Sequence, residues 1–140
     1  MRDYLYFLFF TLTLLSGCDR SSTTPPRLMI NEVMAQNVTF TYFEEDGLPA
    51  MDWVEIYNKS SNPLPVGGMF LTDNVSNPTK WEIPANTSIP GDGTILIWCD
   101  EDKSQGPLHA NFKLAGAGEE IILFDTDGAT QLSRIQFGQQ

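Results

Sequence analysis

From residue 28 onward the sequence predicts an all-β domain, a sandwich or a small barrel. Three observations carry this. Several strings alternate apolar and polar residues with the period of a strand. Eleven Gly and nine Pro fall largely between those strings, where turns are needed. No segment shows capped helical periodicity.

The strands follow in order. Residues 28–33 open the domain. Asp52-Trp53-Val54-Glu55-Ile56-Tyr57-Asn58 alternates, with Val54 and Ile56 on one face and Trp53, Glu55 and Tyr57 on the other. Gly68-Met69-Phe70-Leu71-Thr72 is a short strand, and residues 80–83 form a brief one before Pro84. Thr94-Ile95-Leu96-Ile97-Trp98 and Glu120-Ile121-Ile122-Leu123-Phe124 are apolar on both faces and read as central, doubly covered strands. Residues 130–137 close the pattern with alternation. Turns are signalled at Glu45-Asp46-Gly47, Asn62-Pro63, Pro90-Gly91-Asp92-Gly93, Gly116-Ala117-Gly118 and Asp125-Thr126-Asp127-Gly128.

Ahead of the domain, residues 4–15 are almost purely apolar, and Leu15-Ser16-Gly17-Cys18 follows. Twelve residues of helix span only about 18 Å, short of the roughly 30 Å hydrocarbon core of a bilayer. A short apolar run ending in small residues has the form of a cleavable signal. The string resembles the lipobox of bacterial lipoproteins, in which the Cys is acylated and the signal removed before it. The resemblance implies a signal peptide over residues 1–17, lipid attachment at Cys18, and a Ser/Thr/Pro tether completing residues 18–27. It places the domain, residues 28–140, on the bacterial cell envelope, at the periplasmic face or the cell surface, held to the membrane by acyl chains.

Cleavage removes one base, Arg2, and one acid, Asp3, so the formal charge stays at −10. That balance argues against a nucleic-acid partner, whose affinity comes from Lys and Arg neutralising phosphates. Of the two cysteines, lipidation of Cys18 leaves Cys99 without a disulfide partner.

Several strings, in order, resemble the bacterial form of the lamin tail domain. They are Met29-Ile30-Asn31-Glu32-Val33-Met34-Ala35, the Asp52 to Asn58 string, Asn77-Pro78-Thr79-Lys80-Trp81, Leu108-His109-Ala110-Asn111-Phe112-Lys113-Leu114, Gly118-Glu119-Glu120-Ile121-Ile122-Leu123-Phe124 and Phe137-Gly138. The resemblance implies an immunoglobulin-like β-sandwich with no catalytic residues of its own. Bacterial members are modules of secreted or envelope proteins, often beside enzymes. Members commonly continue past Phe-Gly with a Gly-Arg-Tyr-Pro-like segment. Here the sequence stops at Gln139-Gln140, so the domain ends early or is the front of something longer.

Candidate sites are few. Asp125-Thr126-Asp127-Gly128 lacks the EF-hand Gly and Glu at the sixth and twelfth positions and reads as a hairpin turn. Asp100-Glu101-Asp102, with Asp73 or Asp92, is a candidate cation cluster whose ordinary reading is a solvated loop. One His and one free Cys make no zinc set. Cys99 and His109 are a conceivable nucleophile and base, but a thiol ending an apolar run is expected to be buried and inert. The Asn-x-Ser/Thr matches at Asn37, Asn58, Asn74 and Asn86 carry no weight in a bacterial lipoprotein. Among the aromatics Tyr42, Phe43, Trp53, Trp81 and Trp98, most are expected in the core or in cross-strand pairs, and Trp81 is the one expected to be exposed. Trp81, His109 and Asn111 form the candidate ligand surface. The expected function is non-catalytic, binding an envelope protein or polysaccharide or serving structurally, with no metal and no cofactor. The alternatives are an accessory module of a longer secreted or envelope enzyme and a cation-dependent ligand-binding module.

Overall fold

The computed structural model describes residues 27–36 and 51–139. Within them the chain forms ten strands and one 3₁₀ turn, Lys103–Gln105. The strands are β1 (Leu28–Met34), β2 (Trp53–Asn58), β3 (Leu64–Pro65), β4 (Phe70–Thr72), β5 (Trp81–Glu82), β6 (Ser88–Ile89), β7 (Thr94–Cys99), β8 (His109–Ala110), β9 (Glu119–Phe124) and β10 (Gln131–Phe137). One sheet has the order β1-β2-β7-β8 and the other β10-β9-β4-β5, with β3 and β6 as a separate ribbon. The expected all-β sandwich is therefore observed.

Alternation builds the core. Val54 and Ile56 of β2, Ile97 and Cys99 of β7, and Leu28 and Ile30 of β1 pack against Leu71, Trp81, Ile121 and Leu123 of the second sheet. All four residues 121–124 are buried, as a doubly covered strand requires. In β7 Ile97 and Cys99 are buried inward, while Ile95 at its start and Leu96 and Trp98 on the outer face are half-buried. Trp53, on the outer face of β2, is also buried.

The two sides of the sandwich differ. On one, the edge strands β1 and β10 approach each other, each interrupted by a register shift, at Ile30/Glu32 and at Gln131/Ser133. Ser133 Oγ accepts from Ile30 N at 3.0 Å, so a side chain satisfies an edge donor. On the other side β5 and β8 are free edges of two residues each.

A buried amide ties together one end of the sandwich. Asn58 is fully buried at the close of β2. Its Nδ2 donates to the carbonyls of Asn62 at 2.9 Å, Ile89 at 3.2 Å and Pro90 at 2.9 Å. Its Oδ1 accepts from Ser60 N at 2.9 Å and Ser60 Oγ at 2.7 Å. The same loops meet through Asp92 N to Ser60 O, 2.8 Å, and Asn58 N to Gly93 O, 2.9 Å. Gly91 permits this approach: a Cβ there would stand 2.1 Å from Ser61 O. In this turn Asp92 takes a positive φ, 53°. An Asn-x-Ser match at Asn58 is thus an interior amide, inaccessible to modification.

The β9–β10 connection is the expected hairpin turn. Asp125 N donates to Thr130 O at 2.8 Å, and Gly128 N to Asp125 O at 2.9 Å. Asp127 accepts from Thr130 Oγ1 at 2.6 Å, Thr130 N at 2.8 Å and Ala129 N at 2.9 Å. These bonds, led by the Thr130 hydroxyl, hold its carboxyl below the usual range.

Two outcomes follow. Asn58→Ala should lower unfolding stability by about 3 kcal/mol in urea titrations, because it strands buried carbonyls as well as losing bonds. For Asp127 the unfolded chain protonates first as pH falls, so its stabilisation is complete above the free carboxylate value of roughly 3.9. It disappears as pH falls through the lowered folded value. The stability advantage of wild type over Asp127→Ala should accordingly be present at neutral pH and vanish in strong acid; an advantage unchanged by acid would refute this.

Candidate functional site

The free edges β5 and β8 border an open cleft of about 410 Å³. Phe70, Trp81, Pro84 and Pro107 supply carbon walls, and Glu82, Lys103 and His109 supply polar groups. The volume falls within the range of small-molecule sites, roughly 300–1,000 Å³.

His109 is placed by the parallel pairing of β8 with β7, which sets Trp98 opposite His109 and Cys99 opposite Ala110. Its ring is stacked on Trp98, with centroids 6.3 Å apart and planes inclined by 29°. Its Nδ1 lies 2.7 Å from Asp100 Oδ2, and both side chains are about nine-tenths buried. Gly106 lies beside the ring edge; a Cβ there would be 3.4 Å from His109 Cδ2 and 3.8 Å from Nε2. Trp98, Asp100 and Gly106 therefore fix the imidazole of a residue that lines the cleft.

The structure corrects the expectation for Trp81. It is 4% exposed and belongs to the core, while its neighbour Glu82 is exposed. Alternation in a two-residue strand offers no sequence signal for which residue turns inward, and the charged neighbours of Trp81 were misleading. Only part of Trp81 reaches the cleft wall. Asn111 is exposed, and its Nδ2 donates to Lys80 O at 2.9 Å, so it joins the loop after β8 to the chain just before β5. Trp81, His109 and Asn111 thus gather at one seam between the sheets. Lys80 lies on the same seam, paired with Asp73 at 2.6 Å and 5.0 Å from the centre of the Phe112 ring.

The acidic string is engaged locally. Asp100 binds His109 and accepts from Asp102 N at 3.0 Å. Asp102 caps the 3₁₀ turn, accepting from Ser104 Oγ at 2.5 Å and Ser104 N at 3.0 Å, and these bonds lower its pKa. Glu101 lies 3.6 Å from Lys113. Among the described residues no group of three or more His, Cys, Asp and Glu is placed to hold a metal ion.

Cys99 and His109 occupy opposite faces of one sheet. Cys99 points inward with Ile97, and its strand partner Ala110 is core. His109 contacts Trp98 and Asp100, which alternate outward. Burial, then the nearby Asp52 and Asp100 carboxylates, push the Cys99 thiol well above its ordinary pKa. In a Cys18→Ser background, thiol reagents should label Cys99 slowly in the native state and rapidly in denaturant; fast native labelling would contradict the burial.

Cys18 and the signal-like residues before it lie outside the described residues, as do Tyr42 and Phe43. No curated protein matches the chain. A family model described as Lamin Tail Domain matches residues 21–139. That family is one of non-enzymatic, immunoglobulin-like domains, in agreement with the two facing sheets and the strings that mark them. The chain belongs to the lamin tail domain family.

Proposed function

We propose that this protein is a lipid-anchored binding or structural module of the bacterial cell envelope, without catalytic activity of its own. The observation that carries the anchor is Leu15-Ser16-Gly17-Cys18 behind an apolar run. Acyl chains on Cys18 provide the membrane contact, at roughly 0.8 kcal/mol per buried CH₂, and more than one chain is needed for stable attachment. The tether then holds the sandwich a short distance from the bilayer.

The non-catalytic reading is supported by the separation of Cys99 from His109 across the sheet. It is also supported by the family. The partner is an envelope protein or polysaccharide rather than nucleic acid. Lys80 pairs with Asp73, Lys113 lies near Glu101, and Arg134 pairs with Glu120, so much of the basic charge is already compensated. With a net charge of −10, a polyanion is repelled.

Cys18→Ser should leave unprocessed precursor and abolish acyl labelling in a bacterial host. Wild-type protein that carries no acyl label would overturn the anchor.

A further inference from the structure

We propose that the cleft between β5 and β8 is a carbohydrate site, in which Nε2 of His109 accepts a hydrogen bond from a sugar hydroxyl. This rests on the binding role proposed above and gives it a ligand class.

The argument starts from the Asp100–His109 pair. A carboxylate oxygen only accepts, so in the neutral ring Nδ1 carries the hydrogen and Nε2 keeps its lone pair. Trp98 on one face and Gly106 near the ring edge fix the orientation. Among the described residues no donor reaches Nε2, yet Nε2 is not a sealed, unsatisfied atom. It is the free acceptor of a fixed ring whose residue lines the cleft. No hydroxyl or thiol of the described residues is bonded to it, so the pair has no nucleophile to activate.

The rest of the cleft selects the class. Charges nearly cancel: Lys80 is paired with Asp73, and Glu82 balances Lys103. Neither an anion nor a cation is favoured. Glu82 offers acceptors and Lys103 offers donors, while Phe70, Trp81, Pro84 and Pro107 offer carbon surface. A ligand matching this set is neutral, bears hydroxyls that both donate and accept, and has apolar faces. A pyranose ring has those properties, and the open cleft lets a longer glycan pass through.

The chain has one histidine, so histidine labelled with ¹⁵N gives one pair of ring-nitrogen signals. The full chain in detergent micelles would be titrated with chitotetraose, cellotetraose and mannotetraose, and separately with inorganic phosphate. At least one tetrasaccharide should shift Nε2 more than Nδ1, with a dissociation constant on the order of 1 mM or tighter. His109→Gln should weaken that binding about tenfold. Glu82→Gln and Lys103→Ala, at exposed positions that leave the core intact, should each weaken it by roughly threefold. An unmoved Nε2 with all three sugars at about 10 mM overturns the proposal, as does a shift with phosphate alone. Binding that Glu82→Gln and Lys103→Ala both leave untouched also overturns it. None of these outcomes depends on acylation at Cys18, so the ligand and the anchor stand or fall separately.

Discussion

The Asn58 amide is the constraint on which one end of this fold depends. The chain after β2 and the chain before β7 meet at this end, and such loops carry backbone groups that need partners away from water. Asn58 answers that need with one side chain, addressing three carbonyls and one Ser60 residue at once. The start of β1 joins the same assembly, since Lys59 N donates to Arg27 O at 2.7 Å. Asp cannot replace Asn here, because a carboxylate has no hydrogens for the three carbonyls. Nor can Gly91 gain a side chain, since the 60–62 loop occupies the space.

The unequal sides of the sandwich follow from how each pair of edges is finished. β1 and β10 are long, and each bulges where it faces the other, so Ser133 can bond Ile30 across the gap. β5 and β8 are too short to do this. They meet at the seam where Asn111 bonds Lys80 O and Lys80 lies against Phe112, and the space beside that contact stays open. Short edge strands limit unwanted pairing with other chains. Here they also leave a side where polar side chains from both sheets face a common space.

The long strands were legible in the sequence because six or seven residues suffice to show alternation, as in β2 and β10, or an unbroken apolar run, as in β7 and β9. β2, β7, β9 and β10 appear within a residue or two of their expected limits. The ribbon β3–β6 was not legible. It pairs Leu64 with Ile89 and Pro65 with Ser88, and two residues have no period. β8 was missed as a strand for the same reason, although its string was noticed. His109 could be singled out as the sole histidine, but its partner Asp100 could not. That contact depends on a parallel pairing across a loop of nine residues' separation, which no local pattern encodes. Asn58 was read as part of a modification pattern because an amide's burial is decided by tertiary loops rather than by its neighbours.

Turn chemistry explains much of the acidity of this chain. A loop-rich sandwich needs side chains that cap free N–H groups, and Asp does so at many turns. Asp100 accepts from Asp102 N at 3.0 Å, Asp102 from Ser104 N at 3.0 Å, Asp125 from Thr126 N at 2.7 Å and Asp127 from Ala129 N at 2.9 Å. Asp102 and Asp127 do so while exposed, whereas the Asp100 side chain is about nine-tenths buried. Their oxygens are engaged locally, by backbone N–H groups and by the side chains of Ser104, Gln105, His109 and Thr130. A net charge of −10 and a nearly neutral cleft are therefore compatible. The first includes the carboxylates that cap turns, and the second depends on which pairs face each other across the seam.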